Sequence, residues 1–179
     1  MWGSKGDALQ RWPELGPVLE GIPWAIVGAV ATRRYMPERA TRDLDIVILP
    51  SDRELVERRL TEAGYTRQGP LTIGGSAWRA PRGTPVDVIE GLEAWWPSAL
   101  REAAANADAE GAPILPAPYL IMMKLLASRV QDLADVTRIL GGLEEDALDR
   151  VRALMRQHAP DLTEDLESLI ILGRLERPE

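Results

Sequence analysis

Asp43-Leu44-Asp45 stands directly before an apolar run, Ile46-Val47-Ile48-Leu49. A short β-branched run of this kind reads as a buried strand, and in a strand alternate side chains share a face. Asp43 and Asp45 therefore project together while Leu44 points the other way. Two adjacent carboxylates at the mouth of a strand repel each other, a cost that a divalent cation removes. The tripeptide is the chain's best candidate for a metal site.

The surrounding sequence alternates strand and helix signals. The run Trp24-Ala25-Ile26-Val27 ends at Gly28 and reads as a buried strand. Residues 29–35 read as a short helix stopped by Met36-Pro37, and a polar loop, 38–42, leads to the acidic pair. Upstream, residues 7–19 carry Leu9, Trp12, Leu15 and Leu19 at helical spacing, although Pro13 and Pro17 argue for two short pieces. Downstream, Pro50-Ser51-Asp52 opens a charged helix over 53–63, closed by Gly64. Short strands are expected at 65–67, 71–73, 77–80 and 85–89, with Pro81-Arg82-Gly83-Thr84 turning the last two into a hairpin. From residue 92 the chain reads as helical, at 92–105, 118–129, 133–140, 144–158 and 162–172. The expected fold class is α+β: a small mixed sheet with flanking helices over 1–106, followed by a C-terminal helical bundle over 107–179.

With 179 residues, 45% hydrophobic and 27% charged, the chain can bury one core and is not of disordered composition. No run approaches the ~20 apolar residues of a membrane span, so no membrane partner is expected. The start carries no apolar segment of signal-peptide type. Cysteine is absent, which excludes disulfides and thiolate zinc sites and points to a cytoplasmic home. The net charge of −7 argues against a dedicated nucleic-acid binder. Even so, Arg33, Arg34, Arg39 and Arg42 crowd just before the acids, a local positive patch suited to a phosphate chain.

A metal pair needs a third ligand. Asp87 sits among Val86, Val88 and Ile89 on an expected strand, where an aspartate is out of character. If that strand lies beside Ile46-Val47-Ile48, three carboxylates meet at one edge and can bind Mg²⁺ or Mn²⁺. The strand-to-helix turn Val27-Gly28-Ala29-Val30 supplies a phosphate cradle, because glycine admits close backbone approach and a helix start offers free N–H groups.

This ordered set, Ile26-Val27-Gly28-Ala29, then Thr41-Arg42, Asp43-Leu44-Asp45-Ile46-Val47-Ile48 and later Val86-Asp87-Val88, resembles the nucleotidyltransferase superfamily related to DNA polymerase beta. Within it the chain is most similar to small bacterial AbiEii-like and minimal nucleotidyltransferase proteins, many of them toxins of toxin–antitoxin pairs. The segment from Tyr119 through Lys124 to Asp132 and Asp135 resembles the helices that follow the catalytic domain there. The likeness covers roughly residues 22–142.

The resemblance implies transfer of a nucleotidyl group from a nucleoside triphosphate to a hydroxyl acceptor, which could be a tRNA end, a small molecule or a protein. Asp43 and Asp45 would be metal ligands and Asp87 the third carboxylate, activating the acceptor. Gly28 and Ala29 would form the nucleotide-phosphate turn, with Arg33, Arg42 and Lys124 as cationic contacts and Asp132 or Asp135 in support. An antitoxin partner is a further implication. The family often has serine where Ala29 stands; one lost hydrogen bond to a charged group costs about 1.5–3 kcal/mol. A catalytically decayed binding protein on the same scaffold is the competing reading.

Other features read as structural. Gly75-Ser76 upstream of Asp87 is a turn or bulge, since Pro81, Gly83 and Pro85 bar a helix between them. A haloacid-dehalogenase-like nucleophile is disfavoured because its apolar strand must precede the aspartates, whereas here it follows. His158, the single histidine, closes a helix. Trp24 and Trp78 are expected in the core; of Trp95-Trp96, which cannot share a helix face, one is expected partly exposed or covering the domain junction. Lys124, among apolar neighbours, either reaches solvent or is held by an acid in a cleft.

Overall fold

The apolar run behind the acidic pair is strand β2 (Leu44–Ile48), in which Ile46, Val47 and Ile48 are at most 1% exposed. A strand covered on both faces needs no polar alternation, which accounts for the uninterrupted apolar run. It lies between β1 (Trp24–Ile26) and β5 (Pro85–Glu90) in a five-stranded mixed sheet of order β1-β2-β5-β4-β3. The remaining strands are β3 (Thr66–Pro70) and β4 (Gly75–Arg79). Only β2 and β5 run parallel; the other neighbours are antiparallel. These features come from a computed structural model that describes residues 12–37 and 41–176.

Helices flank this sheet. α1 (Gly28–Thr32) follows β1 directly, and a 3₁₀ turn, Pro50–Asp52, leads into α2 (Arg53–Glu62), which buries Val56 and Leu60. After β5 come α3 (Trp96–Ala105) and α4 (Ala117–Ala127). The C-terminal bundle is completed by α5 (Val130–Gly142), α6 (Glu145–His158) and α7 (Thr163–Leu175). α4 is buried at eight of its eleven residues, so it is a central helix rather than an amphipathic surface one. The segment before α4 is stitched to β1: the Ile26 N–H donates to the Pro113 carbonyl at 2.7 Å, and the Leu115 N–H to the Ile26 carbonyl at 3.0 Å. One hydrophobic cluster takes in Ile26 and Ile46 from the sheet and Leu120, Val136 and Leu148 from the bundle.

Several expected elements are displaced. Of the helix expected over 7–19, residues 7–11 lie outside the described residues; 12–22 hold a turn in which the Leu19 N–H reaches the Leu15 carbonyl at 2.8 Å. Pro13 and Pro17 explain why it goes no further. Leu71–Ile73 is not a strand but the loop of the β3–β4 hairpin, with the Leu71 N–H on the Gly75 carbonyl and Ile73 66% exposed. The helix expected from 92 begins at Trp96, next to Pro97, a residue favoured in a helix's first turn. Trp95 and Trp96 are both buried, their rings stacked at 4.0 Å, because Trp95 precedes the helix and is free of its periodicity. The hairpin turn at 81–84 forms as expected, with the Gly83 N–H donating to the Ala80 carbonyl at 2.8 Å. Trp24 and Trp78 are buried, and His158 ends α6. Among the described residues no helix is long and apolar enough to cross a membrane.

Candidate active site

Parallel pairing of β2 with β5 puts Asp45 directly opposite Asp87. Asp43, one residue before β2, is exposed and its N–H donates to Thr41 Oγ1 at 3.4 Å. The third sequence candidate, more than forty positions later, thus stands beside the second on two neighbouring central strands, with the first just before β2. The electrostatics register their proximity. Burial, then Asp87, then Asp43, raise the Asp45 carboxyl from its ordinary value to about 6, while Arg129 and Lys124 pull it down. Burial and Asp43 likewise raise Asp87.

Gly28 is fixed by this acid. Its φ of +62° lies in the left-handed region, and a Cβ there would stand 1.9 Å from Asp45 Oδ2. Next to it the Val27 N–H donates to the Asp45 backbone carbonyl at 2.9 Å. The turn between β1 and α1 is therefore pressed against the acidic pair by backbone and side chain together. Ala29 stands in the first turn of α1, whose N–H groups have no intrahelical partners. The single hydroxyl in α1, Thr32 Oγ1, is turned back onto the Gly28 carbonyl at 2.7 Å.

The cationic candidates separate. Arg42 is exposed beside Asp43. The Arg33 guanidinium lies over the Trp12 ring, 5.6 Å from its centroid. Arg39 lies outside the described residues. Lys124 does not reach solvent: its side chain is 4% exposed and Nζ donates to Asp135 Oδ2 at 2.8 Å and Asp132 Oδ1 at 3.2 Å. Asp132 and Asp135 are themselves buried on α5, so the second sequence reading of Lys124, a lysine held by acids, is the one observed.

Sequence reasoning missed Arg129. Ser128 ends α4 in the left-handed conformation (φ 52°), and Arg129 follows as the residue before α5. Its Nε donates to the second oxygen of Asp132 at 2.5 Å while three quarters of the side chain stays exposed. Its charge and that of Asp45 act on each other. The signal available was Asp132 three positions on, at the spacing of a first-turn ion pair.

Carboxylates that raise one another's proton affinity, backed by a turn too tight for a side chain, are suited to a divalent cation. Among the described residues no three acidic or histidine side chains are yet gathered as a closed ligand set, so a cation would draw together groups that the strand register has only aligned.

Comparison with known proteins places the architecture. No family model and no curated protein matches the chain. The solution structure of the antibiotic-resistance factor ANT(2'')-Ia is similar over 82% of this chain and 89% of that one, with a TM-score of 0.55 and 17% identity. A crystal structure of the same factor in complex with adenylyl-2''-tobramycin gives a TM-score of 0.47 at 16% identity, covering 86% and 88%. Terminal uridylyl transferase 4 from Trypanosoma brucei with bound GTP gives 0.32 at 14%, covering 78% and 47%. The first of these shows a shared fold: an α+β, nucleotidyltransferase-like sheet with flanking helices and a C-terminal helical region.

Proposed function

We propose that this chain is a nucleotidyltransferase that moves a nucleoside monophosphate group from a nucleoside triphosphate to a hydroxyl-bearing acceptor. The observation that carries the reading is the register of Asp45 against Asp87, with Asp43 just before β2 and Gly28 pressed against Asp45. The shared fold with ANT(2'')-Ia supports it.

Asp43, Asp45 and Asp87 would hold Mg²⁺ or Mn²⁺, which when bound neutralises triphosphate oxygens and the departing pyrophosphate. The chain's own residues do the remainder. Asp87, opposite Asp45 across the β2–β5 pairing, accepts the proton of the acceptor hydroxyl as that oxygen bonds to the α-phosphorus. The bond from that phosphorus to the bridging oxygen breaks and pyrophosphate leaves. The N–H groups opening α1 receive phosphate oxygens beside Gly28, and Arg42 adds a positive charge beside Asp43.

The net charge of −7 favours a small-molecule or protein hydroxyl over a long RNA. Through the AbiEii-like resemblance the reading extends to a toxin with an antitoxin partner, which co-purification with the product of an adjacent small gene would test. Isothermal titration of the protein with MgATP and MgGTP, repeated on Asp45→Ala, tests the central reading. Metal-dependent binding lost in the variant supports it. Absence of binding to either protein favours a decayed binding scaffold, the alternative that Ala29 in place of serine keeps in view.

A further inference from the structure

Two cations meet on Asp132, Lys124 on one carboxylate oxygen and Arg129 on the other, and they differ in what they can offer a ligand. Lys124 is 4% exposed in its side chain, and two of its three N–H groups are directed at Asp132 and Asp135. A phosphate could reach it only by displacing a buried carboxylate. Arg129 commits one N–H, on Nε, and keeps its side chain 75% exposed. Its two terminal amines are the second edge of the guanidinium fork, a geometry that grips a phosphate through two parallel hydrogen bonds.

The backbone fixes where that fork stands. The Ser128 N–H donates to the Lys124 carbonyl at 3.1 Å, and Ser128 Oγ donates to the Leu125 carbonyl at 2.6 Å, closing α4 in a tight left-handed turn. The Arg129 carbonyl then accepts the Leu133 N–H at 3.0 Å as α5 begins. Arg129 is held before and behind by helix ends and sideways by Asp132. α4, which ends at this corner, packs against α1, the helix that opens at Gly28 beside Asp45, and the charges of Arg129 and Lys124 both act on Asp45.

We infer that Arg129, rather than Lys124, is the cation of the helical bundle that grips the triphosphate of the substrate, and that Lys124 and Asp132 act through it as positioning residues. The inference rests on the nucleotidyltransferase reading of the acidic site. Lys124 fixes Asp132 from within the bundle, and Asp132 holds the guanidinium in place. The buried part of this relay has no net work to do on the substrate, while its exposed end does.

Inorganic tripolyphosphate isolates the phosphate contact from recognition of base and sugar. Its affinity in the presence of Mg²⁺, and that of MgATP, would be measured by calorimetry on wild type, Arg129→Ala, Arg129→Lys, Asp132→Asn, Arg129→Ala/Asp132→Asn and Asp45→Ala. Arg129→Ala is expected to weaken both ligands at least tenfold with its melting temperature essentially unchanged, since the side chain is mostly in solvent. Arg129→Lys, which keeps the charge and loses the fork, should recover only part. Asp132→Asn should weaken binding in the wild-type background and add nothing in the Arg129→Ala background, a non-additivity that general structural damage would not produce. Arg129→Ala binding within twofold of wild type, with Asp45→Ala still binding-deficient, overturns this inference and leaves the nucleotidyltransferase reading standing. Wild type binding neither ligand removes both.

Discussion

A methyl group on Gly28 would collide with the Asp45 carboxylate on a backbone already in the left-handed region. Gly28→Ala is therefore expected to cost about 2–4 kcal/mol, crowding and backbone strain together, measured by urea denaturation. It should also abolish MgATP binding, because Asp45 has to move. Asp45 itself gives a pH signature. Its carboxyl is raised to about 6 in the folded chain from an ordinary 3.8, so between those values the native state holds more proton than the unfolded state. Stability contributed at low pH is lost as pH climbs from about 4 to about 6, a loss of up to about 3 kcal/mol at neutral pH. Asp45→Asn should accordingly resist urea better than wild type at pH 7.5 and show no such advantage at pH 4, while being inactive. Equal gains at both values would contradict an Asp45 carboxyl raised by burial and by repulsion from Asp87 and Asp43.

Among the elements, α5 and α7 cross where neither can carry a side chain. A Cβ on Gly141 would lie 2.3 Å from the Gly173 carbonyl oxygen, and one on Gly173 would lie 2.2 Å from that of Thr137. Gly173→Ala should cost about 1–3 kcal/mol in chemical denaturation as the helices are forced apart. α4 and α5 are tied instead by charge. Lys124→Met strands two buried carboxylates and should cost about 3–5 kcal/mol, with part recovered in Lys124→Met/Asp132→Asn/Asp135→Asn. Elements with a strong period or a clear stop signal were readable in the sequence: β2 from its apolar run, α2 between Asp52 and Gly64, α6 up to His158. Those set by tertiary contact were not. Leu71–Ile73 has strand-like composition but lies in a hairpin loop between Pro70 and Gly74, and the Gly141–Gly173 crossing leaves no periodic trace at all.

At the scale of the molecule, the sheet order does what no local pattern could announce. Asp87 is out of character on an apolar strand, and that oddity marked it as a candidate; that it would stand opposite Asp45 follows from β5 inserting beside β2 after the α2–β3–β4 excursion. The carboxylates and Gly28 were marked as candidates because their chemistry conflicts with their surroundings. Arg129 was not, because an exposed arginine conflicts with nothing until the turn at Ser128 and the buried Asp132 are seen. The apolar neighbours that marked Lys124 left open whether it reaches solvent or is held by an acid; only the packing of α4 on α5 decides for the acids. All of the proposed chemistry depends on Asp43, Asp45 and Asp87 forming one cation and nucleotide site. The direct measurement is a Mn²⁺ titration followed by electron paramagnetic resonance in the presence of ATP, on wild type and on Asp43→Ala, Asp45→Ala and Asp87→Ala. Each of the three variants should leave Mn²⁺ largely free at concentrations where wild type binds it; an Asp87→Ala protein that binds Mn²⁺ and ATP as tightly as wild type would contradict the account.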